Sequence, residues 1–247
     1  MLYSLLLLKK TDYSFGKALP SRATFGLAWD VTDGVNIDLD ASAICLDSSF
    51  NLVDIVSYRK LRSDDNAIIH YGDEREGDEV GDDEKIDIYF DRVSPNVSYI
   101  AFVINSFSGQ ELDDVAKASC HLFDSSTRVD IARYCMSNNR SVDGHTGLVM
   151  ACLYRENDDW NMRIISEAAQ GRVARELVDE FQTFLLSHPP PPPSIVPEPD
   201  VVVNAMPEDV EIVVEPIECG NLVVVPPVQV SQPVVSGSNK PFVPPSV

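Results

Sequence analysis

Short apolar stretches rich in Val, Ile, Phe and Tyr recur through the first 165 residues, each closed by a cluster of Asp, Asn, Ser or Gly. That pattern predicts strands at 2–8, 24–29, 37–46, 52–57, 67–70, 85–89, 99–104, 118–123, 129–135, 148–154 and 162–165. Short strands at such regular spacing predict an all-β fold, an antiparallel β-sandwich closed over one core. The period then changes. Val173, Leu177, Val178, Phe181, Phe184 and Leu185 fall at helical spacing between Ser166 and Leu186, which predicts one C-terminal amphipathic helix docked on the sandwich.

A run of five prolines, Pro189 to Pro193, ends that segment, and fifteen of the 17 prolines lie in 189–247. Valine is frequent there, but the prolines interrupt every apolar run, so no long strand is expected. The chain therefore divides into a domain, 1–188, and an acidic Pro/Val-rich tail, 189–247, read as disordered or polyproline-II-like. Such a tail suits docking to proline-recognising protein partners. The opening segment from Met1 to Lys10 is apolar, but its positive charges follow the apolar run instead of preceding it. This is the reverse of a secretory signal, so a first strand of a cytoplasmic protein is expected. No stretch approaches the ~20 apolar residues of a membrane span.

Charge narrows the partners. Thirty-nine acidic residues face 19 basic ones, a formal net charge of −20. Nucleic acid and anionic lipid need a Lys/Arg surface to displace counterions, so neither is an expected partner, whereas cations and basic surfaces are. The five cysteines (Cys45, Cys120, Cys135, Cys152, Cys219) are scattered and never form a C-x-x-C pair. They read as ordinary buried thiols in a reducing compartment. The four histidines are equally dispersed, which argues against zinc.

Two segments carry candidate chemistry. In the first, Asn36, Asp38 and Asp40 alternate with Ile37, Leu39 and Ala41, placing three oxygen-bearing side chains on one face of a strand. Asp and Asn are poor strand formers, so three in succession imply a use, and a metal ion is the evident one. Alternate residues of a strand lie about 6.6 Å apart, so Asn36 and Asp40 are separated by about 13 Å. Calcium–oxygen distances are only about 2.3–2.6 Å, which favours two ions over one. The second segment runs from Gly72 through Glu84, and ten of the twenty residues from Gly72 to Asp91 are acidic. Gly72, Gly77 and Gly81 permit tight turns that let backbone carbonyls face the same point as carboxylates, the donor set calcium prefers. The flanks read as strands and Ala41 stands where an EF-hand loop needs its glycine, so an EF-hand is excluded. Asn105 and Ser106 read as a polar strand end, and Asp30 and Asp33 as turn residues.

At this point the chain resembles the TerD-like tellurium-resistance and stress-response family. The matching pieces occur in family order: Gly26-Leu-Ala-Trp29-Asp30, Asp38-Leu-Asp40-Ala-Ser42, Gly72-Asp73 through Gly81-Asp82-Asp83-Glu84, Phe102-Val-Ile-Asn-Ser-Phe-Ser-Gly-Gln110, Ile131-Ala-Arg-Tyr134, His145-Thr-Gly-Leu-Val-Met150 and Leu153-Tyr-Arg155. The resemblance spans about residues 24–187. It implies a β-sandwich that binds calcium at the D-L-D segment and the G-D…G-D-D-E loop. On that pattern Asp38, Asp40, Asp73, Gly77, Gly81, Asp82, Asp83 and Glu84 are carried over. Asn36, Leu39 within D-L-D, and Glu74 complete the metal set. The chain departs from the pattern at Glu74, Glu76 and Glu79, where the family usually has Asn, Thr and Gly. Calcium binding with altered affinity is expected.

Two functions from different classes follow. The first is a non-enzymatic calcium-binding module that engages partners in a stress-related assembly. The second is a metal-dependent hydrolase with a paired-cation acidic site. The hydrolase needs a general base and a basic residue near the substrate. The motif holds no histidine, and His145 has no nucleophile beside it.

Overall fold

The computed structural model describes residues 5–6, 12–15, 19–30, 37–72, 81–156, 159–189 and 223–224. Two antiparallel sheets stack face to face. The first contains β1 (Leu5–Leu6), β3 (Arg22–Ala28), β6 (Ile68–His70), β7 (Glu84–Tyr89), β9 (Ser119–Asp124), β10 (Asp130–Cys135) and β13 (Val223–Val224). Its order is β1-β13-β10-β9-β3-β7-β6. The second contains β2 (Asp12–Ser14), β4 (Leu39–Leu46), β5 (Leu52–Val56), β8 (Tyr99–Ser106), β11 (Gly147–Glu156) and β12 (Asp159–Ala169), in the order β2-β12-β11-β8-β4-β5. Each has a five-stranded body; β1, β13 and β2 are short additions at the edges. The expected sandwich is present, with one short C-terminal helix, α1 (Val178–Ser187), preceded by a 3-10 turn (Ala174–Leu177). Among the described residues no helix is long and apolar enough to cross a membrane.

Alternation along each strand sends one set of side chains into the space between the sheets. Phe25 and Leu27 of the first sheet meet Leu39, Ala41, Phe102 and Ile104 of the second there. The rings of Phe25 and Phe102 stack at 4.8 Å between centroids. The other face of the second sheet is also buried. Ile44, Leu46, Val103 and Cys152 pack under Leu177, Val178, Phe181 and Leu185 of the 3-10 turn and helix. This second sheet is thus covered on both faces, and β4 is buried along its whole length.

Besides small shifts of strand ends and the short strand β2, three features differ from expectation. β12 continues to Ala169, where helix was expected from Ser166. Pairing of Gly147 with Ala169 and Leu148 with Ala168 overrides the local preference of Glu167-Ala-Ala169, and a register shift opposite Val149–Ala151 accommodates the extra length. Helical structure begins only at Ala174. The tail supplies a second feature that the sequence did not locate, because Val223–Val224 inserts as a two-residue strand between β1 and β10, while 190–222 and 225–247 lie outside the described residues. The third concerns cysteine. Cys45, Cys120 and Cys152 are free and buried, as expected. Cys135, at the end of β10, is disulfide-bonded, which the scattered spacing did not indicate.

Replacing Phe102 with alanine removes one ring of the inter-sheet stack and leaves a cavity that neighbouring strands cannot close. Urea unfolding is expected to show a loss of about 3–5 kcal/mol. A double-mutant cycle with Phe25→Ala is expected to recover a coupling of about 0.5–1.5 kcal/mol.

Candidate metal centre

β4 realises the expected alternation. Leu39 and Ala41 point into the core between the sheets, while Asp40 and Ser42 face the opposite side, that of the helix. This is a buried face, and Asp40 is only 2% exposed. Asp38 lies just before the strand. Its N–H donates to Ser108 Oγ at 3.1 Å and its carbonyl accepts the Phe107 N–H at 2.8 Å, which fixes the entry to β4. Leu39 buries its side chain completely, so only its main chain has an oxygen to offer.

Asn105 of β8 pairs directly across from Asp40. Residues so paired share a sheet face, with their Cβ atoms about 4.5–5.5 Å apart. Asn105 Nδ2 donates to the Gly171 carbonyl at 2.9 Å, which sets the orientation of the amide. Its Oδ1 is buried, and among the described residues no donor reaches it. An unmet buried acceptor costs about 1–3 kcal/mol. Here one stands beside a buried carboxylate, an arrangement that a cation relieves for both groups. Reading Asn105 as a polar strand end missed this. The available signal was its place in Phe102-Val-Ile-Asn105, an apolar strand with a single amide.

The end of the acidic loop is organised differently. Gly81 has φ +110°, a left-handed backbone that strains any residue with a side chain. Beyond it the three acids diverge. Asp82 Oδ1 lies 2.9 Å from His121 Nε2. Asp83 Oδ2 accepts the Trp29 N–H at 2.8 Å. Glu84 shares a face with Ile86 and Ile88 and so points between the sheets, where its Oε2 accepts the Ala41 N–H at 2.6 Å. His70 Nε2 lies 3.1 Å from the Ala41 carbonyl and 3.5 Å from Glu84 Oε2. The first β4–β5 pair is Ala43 with Val56, so Glu84 and His70 serve the Ala41 backbone beyond the reach of β5.

Asp82 reaches His121 across Gly26, whose absent side chain makes the space. A Cβ on Gly26 would stand 2.6 Å from Asp82 Cγ and 2.8 Å from His121 Nε2. His121 Nδ1 also meets Asp130 Oδ1 at 2.6 Å, and Asp130 in turn accepts from Arg133 Nε at 2.8 Å. Burial lowers the His121 pKa, but hydrogen bonds to Asp130 and Asp82 outweigh it and hold the imidazole above its ordinary range. Burial would raise Asp130, yet His121 and Arg133 hold it below the usual carboxylate value.

The structure therefore brings Asp38, Asp40 and Asn105 to one end of the second sheet. Asp82 goes to the outer face of the first sheet, and Glu84 to the core between. Asn36, Asp73, Glu74 and Gly77 lie outside the described residues, as do Glu76 and Glu79. Among the described residues, the one group of three acids whose oxygens lie within 4.8 Å of one another is Glu111, Asp113 and Asp143, which was not anticipated. It is mostly exposed, and burial raises the pKa of Asp113.

A two-sheet antiparallel domain with Asp38, Asp40 and Asn105 at one end of the second sheet defines a class, and the comparisons place the chain in it. Residues 5–181 match the TerD domain, and the protein belongs to that family. It is 36% identical over 178 residues to tellurium resistance protein TerZ of Serratia marcescens, covering 68% of this chain and 88% of that protein. It is 34% identical over 182 residues to tellurium resistance protein TerD of the same organism, covering 69% and 94%. General stress protein 16U of Bacillus subtilis (strain 168) is 28% identical over 64% of this chain and 86% of its own. A crystal structure of a homologue of telluride resistance protein (TerD) from Streptomyces coelicolor A3(2) shares the fold. Its TM-score is 0.58 at 20% identity, covering 66% of this chain and 98% of that one.

Gly26→Ala is expected to displace Asp82 and lower stability by about 1–3 kcal/mol. Adding Asp82→Ala should restore part of that loss; a double variant no more stable than Gly26→Ala would show that the strain lies elsewhere. His121 makes a second test. A folded-state pKa above the unfolded value means the imidazolium stabilises the fold. That contribution is complete below the unfolded value of about 6.5 and is lost as pH rises through the folded value. NMR titration should give a midpoint above the ordinary one, and Asp130→Asn should lower it.

Proposed function

We propose that the protein is a calcium-binding module, non-enzymatic, that acts as a binding or scaffold component in a tellurium-resistance or stress response. One observation carries the metal assignment: the buried Asn105 Oδ1, without a donor among the described residues, set across from the buried carboxylate of Asp40. Oxygen-only donors of this kind suit a hard cation, and calcium accepts amide and carboxylate oxygens at flexible geometry. Asp38, Asp40 and Asn105 hold the ion at this end of β4, together with the segment around Asn36. Asp73, Glu74, Gly77, Gly81 and Asp82 belong to the acidic loop. Asp40 and Asp82 face opposite sides of the sandwich, which supports two ions in preference to one shared by both. Asp83 and Glu84 have carboxylate oxygens engaged by backbone N–H groups and anchor the loop end.

The bound cation supplies counter-charge to carboxylates that otherwise repel one another, so binding stabilises the folded edge by mass action. The names of the relatives support the stress-related role, and the Pro-rich stretches of the tail suit protein partners. Calorimetric titration of calcium and magnesium into the full chain, with melting curves in chelator and in calcium, tests the reading. About two calcium ions are expected, with weaker magnesium binding and a raised melting temperature. Asn105→Leu should weaken calcium at the β4 end about tenfold or more while removing the unmet acceptor from the metal-free protein. An unchanged melting curve with and without chelator would sink the metal assignment. Metal-dependent phosphoester turnover lost in Asp40→Ala would overturn the non-enzymatic one.

A further inference from the structure

We propose that the outer face of the first sheet carries a binding pocket for a phosphate group, free or on a small molecule, held by Arg22, Lys85 and Arg128. The proposal is independent of the metal assignment.

Parity along the strands builds the pocket. Phe25, Ile86 and Ile88 point into the core between the sheets, so Arg22, Thr24, Lys85 and Asp87 face the opposite side. Tyr71, just after β6, and Ser125 and Arg128, in the turn between β9 and β10, close a hollow of about 190 Å³ with them. Asp87 is buried and engaged by three donors: Thr24 Oγ1 at 2.6 Å, the Tyr71 hydroxyl at 2.7 Å and Arg22 Nη1 at 3.2 Å. Thr24 gives its proton to Asp87, so the Ser125 hydroxyl donates to Thr24 Oγ1, at 2.7 Å. Asp87 thus fixes the walls of the pocket, and Arg22 meets its charge.

What remains is positive charge without a carboxylate. Lys85 Nζ donates to the Asp82 carbonyl at 2.7 Å, which uses one of its three donors and leaves its charge unmet. The Arg128 guanidinium lies 5.3 Å from the centre of the Phe123 ring. Among the described residues neither cation forms an ion pair, although 39 acidic residues face 19 basic ones in the chain. Their acidic neighbours in sequence are engaged elsewhere, Asp82 by His121 and Asp124 by the N–H and hydroxyl of Ser126. Arg128 also has φ +61°, a left-handed backbone that glycine adopts without strain. An arginine there carries a backbone cost that its side chain must offset.

Three cations around one carboxylate leave a formal excess of two positive charges, the complement of a phosphate dianion, and guanidinium forks match phosphate oxygens in pairs. The hollow is smaller than the roughly 300–1,000 Å³ of pockets that enclose whole ligands, so it takes the charged group and leaves the rest in solvent. The net charge of −20 repels a polyanion. Acids more than about 8–10 Å away are screened at ordinary salt, so a single small anion responds to the pocket alone. That selects a small phosphate ligand over nucleic acid or a membrane.

The test follows backbone amide shifts of the full chain by NMR as inorganic phosphate is added at constant ionic strength. Calcium-free buffer with chelator, below the melting transition, keeps cation-bound phosphate out of the measurement. Amides of Thr24, Lys85, Ser125 and Arg128 should shift saturably with a dissociation constant of about 1 mM or tighter, and chloride should not reproduce the shifts. Arg128→Gly relieves the strained backbone, so its melting temperature should stay near that of the wild type while phosphate affinity falls about tenfold or more. Lys85→Met keeps the apolar stem and should lose as much. Arg140→Gln, at an exposed position outside the pocket, should lose nothing. Glycerol 1-phosphate separates the two sources: tighter binding than phosphate assigns the pocket to an esterified ligand, and equal or weaker binding assigns it to the free ion. Shifts that do not saturate, the same response to chloride, or affinity unchanged in both pocket variants would overturn the proposal. So would shifts that require anionic vesicles or RNA and do not occur with phosphate.

Discussion

A carboxylate buried between two sheets is the constraint on which the rest is arranged. Glu84 leaves the most acidic stretch of the chain and enters an apolar core, where it accepts the backbone N–H of Ala41. Burying a charge is costly unless it is well hydrogen-bonded. One such bond, from the Ala41 N–H, is made at the place where β4 extends past its partner β5. The bond ties β7 to β4, and so the end of the acidic loop to the D-L-D strand. Asp82 and Asp83 are then placed by their short distance along the chain from that anchor. Asp83 reinforces it by holding the start of the loop after β3 through the Trp29 N–H.

Much of this architecture was legible in the sequence because it is local. Strand positions follow from period-two patterning and turn residues, and the alternation of Asp38, Leu39, Asp40 and Ala41 correctly separated polar from apolar side chains. The inward turn of Glu84 was also encoded, since it shares parity with Ile86 and Ile88, but the density of acids around it drew attention away from that phase. What could not be read was long-range. No local pattern says that Asn105 stands across from Asp40, or that Gly26 is a glycine because Asp82 and His121 meet above it. The end of β12 was misjudged for a related reason: Glu167-Ala-Ala169 favours helix on its own, and only its pairing with β11 makes it strand.

The tail illustrates the same limit from the other side. Proline spacing argues against a long strand in 189–247, but it does not locate the two-residue strand Val223–Val224. Cysteine spacing likewise could not join Cys135 to anything, since its bond depends on where β10 ends in space. The candidate site and the tail strand also lie nearer than the sequence suggests. Arg133, which pairs with Val223, contacts Asp130 and His121, and His121 holds Asp82.

The unequal burial of the two sheets has an evolutionary consequence. The second sheet is a middle layer, packed against the first sheet on one face and against the helix on the other, so a substitution in β8 or β11 must satisfy a core on whichever side it faces. The first sheet has one committed face; its outer surface carries Thr24, His121, Lys85 and their polar neighbours. Lineages built on this scaffold are thus free to diversify surface chemistry on one side while the other stays nearly frozen, and specialisation among members should concentrate on the outer face of the first sheet.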